Sequence, residues 1–334
     1  MANGNTPRLV ITRTPMRISF AGGGTDLPDF FKKETGAVLS TAIDKYVYVT
    51  VKRHGELFNE AYRLNYAEAE TVQALDDINN EIARECLRMV CVDSPLYIST
   101  VGDVPSSTGL GSSSSFAVGL LNALHAIRGE EVSPAQLLDE AVRVEVDVLK
   151  RPIGKQDQAA AAYGGFNYFR FATDGTVQLE PHSPLQMNFT NLFDQLQLFW
   201  TGICRDSASV LKEQKKNTVD RMENLRRMCG LAEHLSNQVR NELDIENFGR
   251  ALDEGWQLKR SLASTITNDA IDSWYQKACD AGAIGGKICG AGGGGFLLFV
   301  TPPTHHDAVR RALSDLQELP FKYEPQGSLR LLVK

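Results

Sequence analysis

The first hundred residues alternate apolar and polar positions with the period of strands. Leu9-Val10-Ile11-Thr12 starts one strand, Pro15 is expected to interrupt it, and Arg17-Ile18-Ser19-Phe20 resumes the alternation. Ile18 and Phe20 then share one side, Arg17 and Ser19 the other. Residues 37–51 read as two further β segments, with Lys45 between apolar Ile43 and Val47, and residues 95–101 as another strand. From Phe116 the period changes. Phe116, Leu120, Leu121, Leu124 and Ile127 recur at helical spacing, and Gly129 stands where a helix C-terminal glycine belongs. A second helix opens at Ser133-Pro134-Ala135-Gln136, which has a cap, a proline at the first helical position and a capping-box glutamine. Leu138, Ala141, Val142, Val148 and Leu149 then lie three, four or seven residues from Glu145, so this carboxylate sits on the apolar stripe.

Past residue 185 the texture shifts to long helical stretches. Leu196-Gln197-Leu198-Phe199-Trp200 is a strand ending in Thr201-Gly202. Residues from 205 to about 239 and 248–262 read as helices, 284–300 as a glycine loop and strand, and 305–317 as a final helix whose start carries His305-His306 on a solvated face. Strand and helix units following a strand-rich half predict an α+β chain of two domains, residues 1–185 and 186–334.

Composition narrows the classes. With 334 residues, 43% of them hydrophobic, the chain can bury a large core, and a net charge of −6 argues against a nucleic-acid or anionic-membrane partner. A local basic pocket for a phosphorylated ligand stays open. The first residues lack an apolar signal core, and no apolar run approaches the ~20 residues needed to cross a bilayer, so a cytoplasmic location is expected. Six cysteines without a Cys-x-x-Cys pair read as reduced, mostly buried thiols rather than a zinc site or disulfide frame. The sequence leaves the oligomeric state open.

The chemistry concentrates in Pro105-Ser106-Ser107-Thr108-Gly109-Leu110-Gly111-Ser112-Ser113-Ser114-Ser115, which runs straight into the first helix. A first helical turn leaves amide hydrogens unpaired and carries partial positive charge, so it favours an anion. Gly109 and Gly111 let the backbone approach an oxyanion, and one serine would suffice for a cap where this turn has four. No lysine follows Gly111, which disfavours a P-loop. Gly290-Ala291-Gly292-Gly293-Gly294-Gly295 matches Gly-x-Gly-x-x-Gly but precedes a strand, the wrong context for dinucleotide binding. Gly22-Gly23-Gly24-Thr25-Asp26 offers another close backbone approach. An ionised Glu145 on an apolar stripe calls for an arginine partner or a magnesium ion. Asp157 precedes the alanine run 159–162 and reads locally as a helix cap or a functional carboxylate.

Taken together, residues 13–26, 105–115 and 287–296 resemble the three motifs of the GHMP kinases, the superfamily of galactokinase, homoserine kinase, mevalonate kinase and phosphomevalonate kinase. The resemblance spans nearly the whole chain. Within the superfamily, residues 19–28 together with the four serines look like the D-glycero-D-manno-heptose 7-phosphate kinases. Three glycines stand where galactokinase has Gly-Glu-His. The resemblance implies a ribosomal S5 domain 2-like first domain, a ferredoxin-like second domain, and ATP and sugar between them. It implies ATP bound by Pro105, Ser107, Thr108, Gly109, Leu110 and Gly111 with Ser112, Ser113 and Ser114, and Mg²⁺ held by Ser113 and Glu145. Asp157 takes the catalytic aspartate's position and Arg17 that of the arginine near the reacting hydroxyl. Beside Arg17, Asp157 is expected to position the hydroxyl more than to abstract its proton strongly. The sugar falls to Gly22, Gly23, Gly24, Thr25 and Asp26, with Gly292 and Gly293 from the third motif. Lys45 and Arg205 are the candidates for a distal phosphate. The implied reaction converts heptose 7-phosphate to the 1,7-bisphosphate, a step toward nucleotide-activated heptose for surface polysaccharide. A kinase for another sugar, or a regulator that binds without turnover, is the alternative.

Overall fold

The computed structural model describes residues 7–55, 57–183, 187–204 and 221–334. Two antiparallel strands, β1 (Leu9–Ala21) and β2 (Gly36–Arg53), form its spine and pair along almost their whole length. Pro15 does not interrupt β1. It lacks an amide hydrogen and sits at a register shift, where Pro15 opposes Tyr46 but Met16 opposes Ile43. Asp44 and Lys45 are therefore the extra residues of a bulge, and the expected two segments of 37–51 are one strand bent at that point. The bend lets β2 serve two neighbours. Its second half pairs with β5 (Leu96–Gly102), its first half with β6 (Phe166–Phe171). Short strands β3 (Tyr62–Asn65) and β4 (Ala69–Val72) extend the sheet beyond β5, and β7 (Val177–His182) extends it beyond β6.

The helices cover this sheet as the apolar spacing requires. Helix α3 (Ser112–Ile127) buries Leu120, Leu121, Leu124 and Ile127 against β1 and β2, and Gly129 ends it at φ +81°. It follows α1 (Pro28–Phe31) and α2 (Glu81–Val90). Helix α4 (Pro134–Val142) is capped by the Ser133 hydroxyl, which accepts from the Gln136 amide at 3.2 Å. Only half of the capping box forms, because the Gln136 side chain donates to Glu140 instead. The chain continues as a π-helix over Arg143–Val148, the Leu149 amide reaching the Val144 carbonyl, and then α5 (Gln156–Tyr163).

After α6 (Met187–Phe193), a second sheet has the order β11-β8-β10-β9, built from β8 (Leu196–Trp200), β9 (Gly285–Ile288), β10 (Phe296–Val300) and β11 (Gln317–Glu318). Helix α7 (Met222–Arg240) packs on α8 (Ile245–Arg260) and on β1 and β2 of the first sheet, while α8 and α9 (Asp269–Asp280) pack on the second sheet. Trp256, Phe199, Phe299 and Tyr275 share its own core cluster. The last expected helix is shorter: α10 (His306–Ala312) stops and the chain becomes β11. Periodicity also passed over α9, β9 and β12 (Leu329–Val333), each short or flanked by glycine. β12 returns to the first sheet, where Val10 pairs with Val333, so the second half of the chain does not lie wholly in the second sheet. The cysteines are all free, but only Cys86 and Cys289 are buried.

One buried charge ties helix to helix. His125 of α3 meets Glu130 through Nδ1 at 2.7 Å and Glu140 of α4 through Nε2 at 2.8 Å. The Glu140 hydrogen bond, with Glu130 adding to it, raises the imidazole above its ordinary value. A group raised on folding stabilises fully below its unfolded value and loses that contribution as pH climbs through the folded one. The drop in unfolding midpoint caused by His125→Gln is therefore expected to be larger at pH 6 than at pH 9, as read by thermal melts at both.

Candidate active site

The three glycine-bearing segments meet at one cleft of about 980 Å³, within the size range of small-molecule sites. Two of its loops touch backbone to backbone. Gly109, at φ +86°, lies so near the third segment that a β-carbon on it would stand 2.5 Å from the Cys289 carbonyl oxygen. The glycine loops thus brace each other, rather than serving only a ligand.

Above them α3 begins. Gly111 occupies its N-cap in the left-handed region without a side-chain cap, and the Ser115 amide is the first to bond back, to the Gly111 carbonyl at 3.0 Å. The amides of Ser112, Ser113 and Ser114 belong to the open turn. The four serines divide their work. Ser112 faces the cleft, Ser113 and Ser114 each donate to Glu145 at 2.7 Å, and Ser115 donates to the Pro15 carbonyl at 2.8 Å, fixing the helix start to β1 where it faces the β2 bulge.

Glu145 is wholly buried and also accepts from Gln158 Nε2 at 2.7 Å. Its arginine partner exists. Arg151 Nη1 is 3.7 Å from Oε1 and donates to Ser113 Oγ at 2.9 Å. Burial still raises the carboxyl above its usual range, because three neutral donors and one half-exposed cation offset desolvation only in part. Glu145 itself does not line the cleft, and the hydroxyls of Ser113 and Ser114 stand between. One carboxylate backed by hydroxyls suits a hard cation that takes its other ligands from phosphate and water, so these residues fit Mg²⁺. Among the described residues there is no cluster of three or more acidic, histidine or cysteine ligands.

Beside Gly111, Arg17 is 5% exposed and engaged through its whole guanidinium. Its Nε and Nη2 reach Asp157 Oδ1 at 2.8 and 2.7 Å, and its Nη1 donates to the Gly109 carbonyl at 2.6 Å. Asp157 is not a cap. It sits inside the first turn of α5, gives one oxygen to Arg17, and keeps Oδ2 beside Gly111. Asp26 is buried nearby, accepting from the Gly24 amide at 3.0 Å and the Gln156 amide at 3.3 Å. Burial first, and the charge of Asp157 second, raise its carboxyl.

Gly22, Gly23, Gly24, Ser107, Gly109, Gly111 and Gly292 line the cleft as the sequence suggested. Several others do not. Thr25 turns its hydroxyl into the loop, donating to Gly22 and accepting from the Ala37 amide. Thr108 and Leu110 are buried behind the serine loop, and Pro105 is outside the lining. The Gly293 amide is spent on the Ile266 carbonyl. Lys45 is not brought to the cleft, because the β2 bulge folds its ammonium onto Asp44 at 3.0 Å. Arg205 lies outside the described residues.

Four cations in the cleft wall escaped the sequence reading: Lys150, Arg151, Lys259 and Lys287. A signal existed for one. Lys259 continues the apolar stripe Phe248, Leu252, Trp256 of α8, where an aliphatic residue is expected. Burial, then the neighbouring Lys287 charge, pushes Lys259 down to about 7, and burial pushes Lys287 down to about 8.

The family models fit this architecture. Residues 72–165 match the GHMP kinases N terminal domain and 232–318 the GHMP kinases C terminal domain, together more than half of the chain. The chain belongs to the GHMP kinases, which use ATP. It is 29% identical to a D-glycero-alpha-D-manno-heptose 7-phosphate kinase of Campylobacter jejuni, over 97% of this chain and 100% of that one. Its fold superposes on a D-glycero-D-manno-heptose 1-phosphate kinase from Bacteriodes thetaiotaomicron with a TM-score of 0.78 at 24% identity, covering 97% and 99% of the two chains. A putative sugar kinase from Campylobacter jejuni follows at 0.74 and 25%, covering 98% and 100%. No helix among the described residues is long and apolar enough to cross a membrane.

Gly109→Ala is expected to lower kcat/KM for ATP by about tenfold or more, because the new β-carbon must part the two loops that shape the anion site. Steady-state kinetics with ATP varied check it, beside a melting curve showing a folded protein.

Proposed function

We propose that this chain transfers the γ-phosphoryl of ATP to the anomeric hydroxyl of D-glycero-D-manno-heptose 7-phosphate, forming the 1,7-bisphosphate. The observation that carries the reading is the Arg17–Asp157 pair, set between the open turn of α3 and the Gly22, Gly23, Gly24 loop. The Campylobacter relative named for that substrate, matched end to end, supports the choice of sugar.

The triphosphate lies against the amides of Ser112, Ser113 and Ser114, whose dipole offsets its charge. Ser113, with Glu145 behind it as the acceptor of its hydroxyl, would hold Mg²⁺, which when bound neutralises phosphate charge. The acceptor rests on the glycine loop near Asp26. Its hydroxyl points at Asp157 Oδ2, the oxygen that Arg17 leaves free. The sugar oxygen forms a bond to the γ-phosphorus as the bond to the β-bridging oxygen breaks, ADP leaves, and the hydroxyl proton passes to Asp157. Little covalent chemistry falls to the protein, so placement and charge dominate the rate.

Asp157→Asn is expected to lower kcat by roughly 10²- to 10⁴-fold with ATP binding intact. Turnover near the wild-type rate would remove Asp157 from the reaction. Glu145→Gln is expected to raise the Mg²⁺ concentration for half-maximal rate by about tenfold or more, since it lies behind the serine hydroxyls as an outer support. The reading as a whole is tested by ADP release across a panel of sugars with and without a terminal phosphate. No ATP consumption with any sugar would overturn catalysis, and equal rates with galactose or fucose would overturn the substrate.

A further inference from the structure

Two lysines that the transfer step leaves unused stand in the cleft wall. Lys259 comes from the buried face of α8 and Lys287 from β9, each 7% exposed. Carbonyls alone hold them. Lys287 Nζ donates to Ser19 at 2.7 Å and Phe20 at 3.0 Å, and Lys259 Nζ donates to Gly290. Among the described residues neither forms an ion pair with a carboxylate. Asp26 acts on Lys259 through space without pairing to it. Arg17 adds positive field at both lysines, while its own guanidinium is committed to Asp157 and Gly109.

Two desolvated cations that repel each other are costly unless an anion joins them. The same wall holds a further unmet group. Ser19 lines the cleft, and its Oγ is buried without a hydrogen-bond partner. Two ammonium groups with spare N–H bonds beside an unpartnered hydroxyl match a phosphate ester, a dianion with several acceptor oxygens. The position favours the acceptor over ATP, because Ser19 and Phe20 run directly into the Gly22, Gly23, Gly24 loop, whereas the donor phosphates have the α3 turn.

We propose that Lys259, Lys287 and the Ser19 hydroxyl form a second anion subsite, which receives the phosphate the acceptor already carries. This assignment rests on the phosphorylated-sugar reading above and replaces Lys45 in that role.

The test measures kcat/KM for heptose 7-phosphate and for the same heptose without phosphate, in wild type and in Lys259→Met and Lys287→Met. The ratio of the two is expected to fall by roughly 10- to 100-fold in each variant, through KM for the phosphorylated sugar. An unchanged ratio, or a loss carried by KM for ATP, overturns the subsite while leaving the kinase reading intact. A wild-type enzyme indifferent to the sugar's phosphate overturns that reading instead. A second measurement needs no variant. Calorimetric titration of wild type with heptose 7-phosphate is expected to show weaker binding at pH 9 than at pH 7, as the lysines lose protons among Arg17, Asp26 and Cys289. Binding equally tight at both overturns the proposal.

Discussion

The guanidinium of Arg17 is the junction on which the site depends. One planar group, fixed by β1, binds a carboxylate of α5 and a carbonyl of the serine loop at once. Three segments distant in sequence thereby acquire one geometry, and because the fork of Arg is rigid, moving any of them strains the other two. Arg17 lies two residues past Pro15, where the β2 bulge shifts the register of β1. Ser115, donating to Pro15 opposite that bulge, ties the start of α3 to the same place. The start of α3 and Asp157 are thus held to a common reference on β1 by the Ser115 and Arg17 side chains.

Much of this was legible from the chain. Helical spacing located α3 and the buried stripe carrying Glu145, and glycine runs located the close approaches, because these are local patterns with a local cause. Long-range outcomes were less accessible. Lys45 looks like a phosphate ligand until the bulge turns it onto Asp44, and Thr25 looks like a sugar ligand until its hydroxyl is seen closing its own loop. Pro15 reads as a break because the partner strand that absorbs it is invisible in one dimension. Lys287, after two glycines in a strand of four residues, gives no periodic signal at all.

Buried charges of both signs stand in and just behind the walls of the cleft. Glu145 and Asp26 are buried acids whose oxygens are met mainly by hydroxyls and amides, so they stay without a full counter-charge of their own. Lys259 and Lys287 are buried bases met by carbonyls. In each case dipoles substitute for ions. That arrangement keeps the groups desolvated and oriented, with their formal charge still available to whatever enters.

The pairing of Val10 with Val333 bears on how the molecule assembles. The outer edge of the first sheet stays open throughout synthesis until the closing strand emerges from the ribosome. A contact of such sequence separation carries a large loop-closure entropy and tends to form late. The sheet that carries Arg17 therefore gains its last strand only after the later helices have been made.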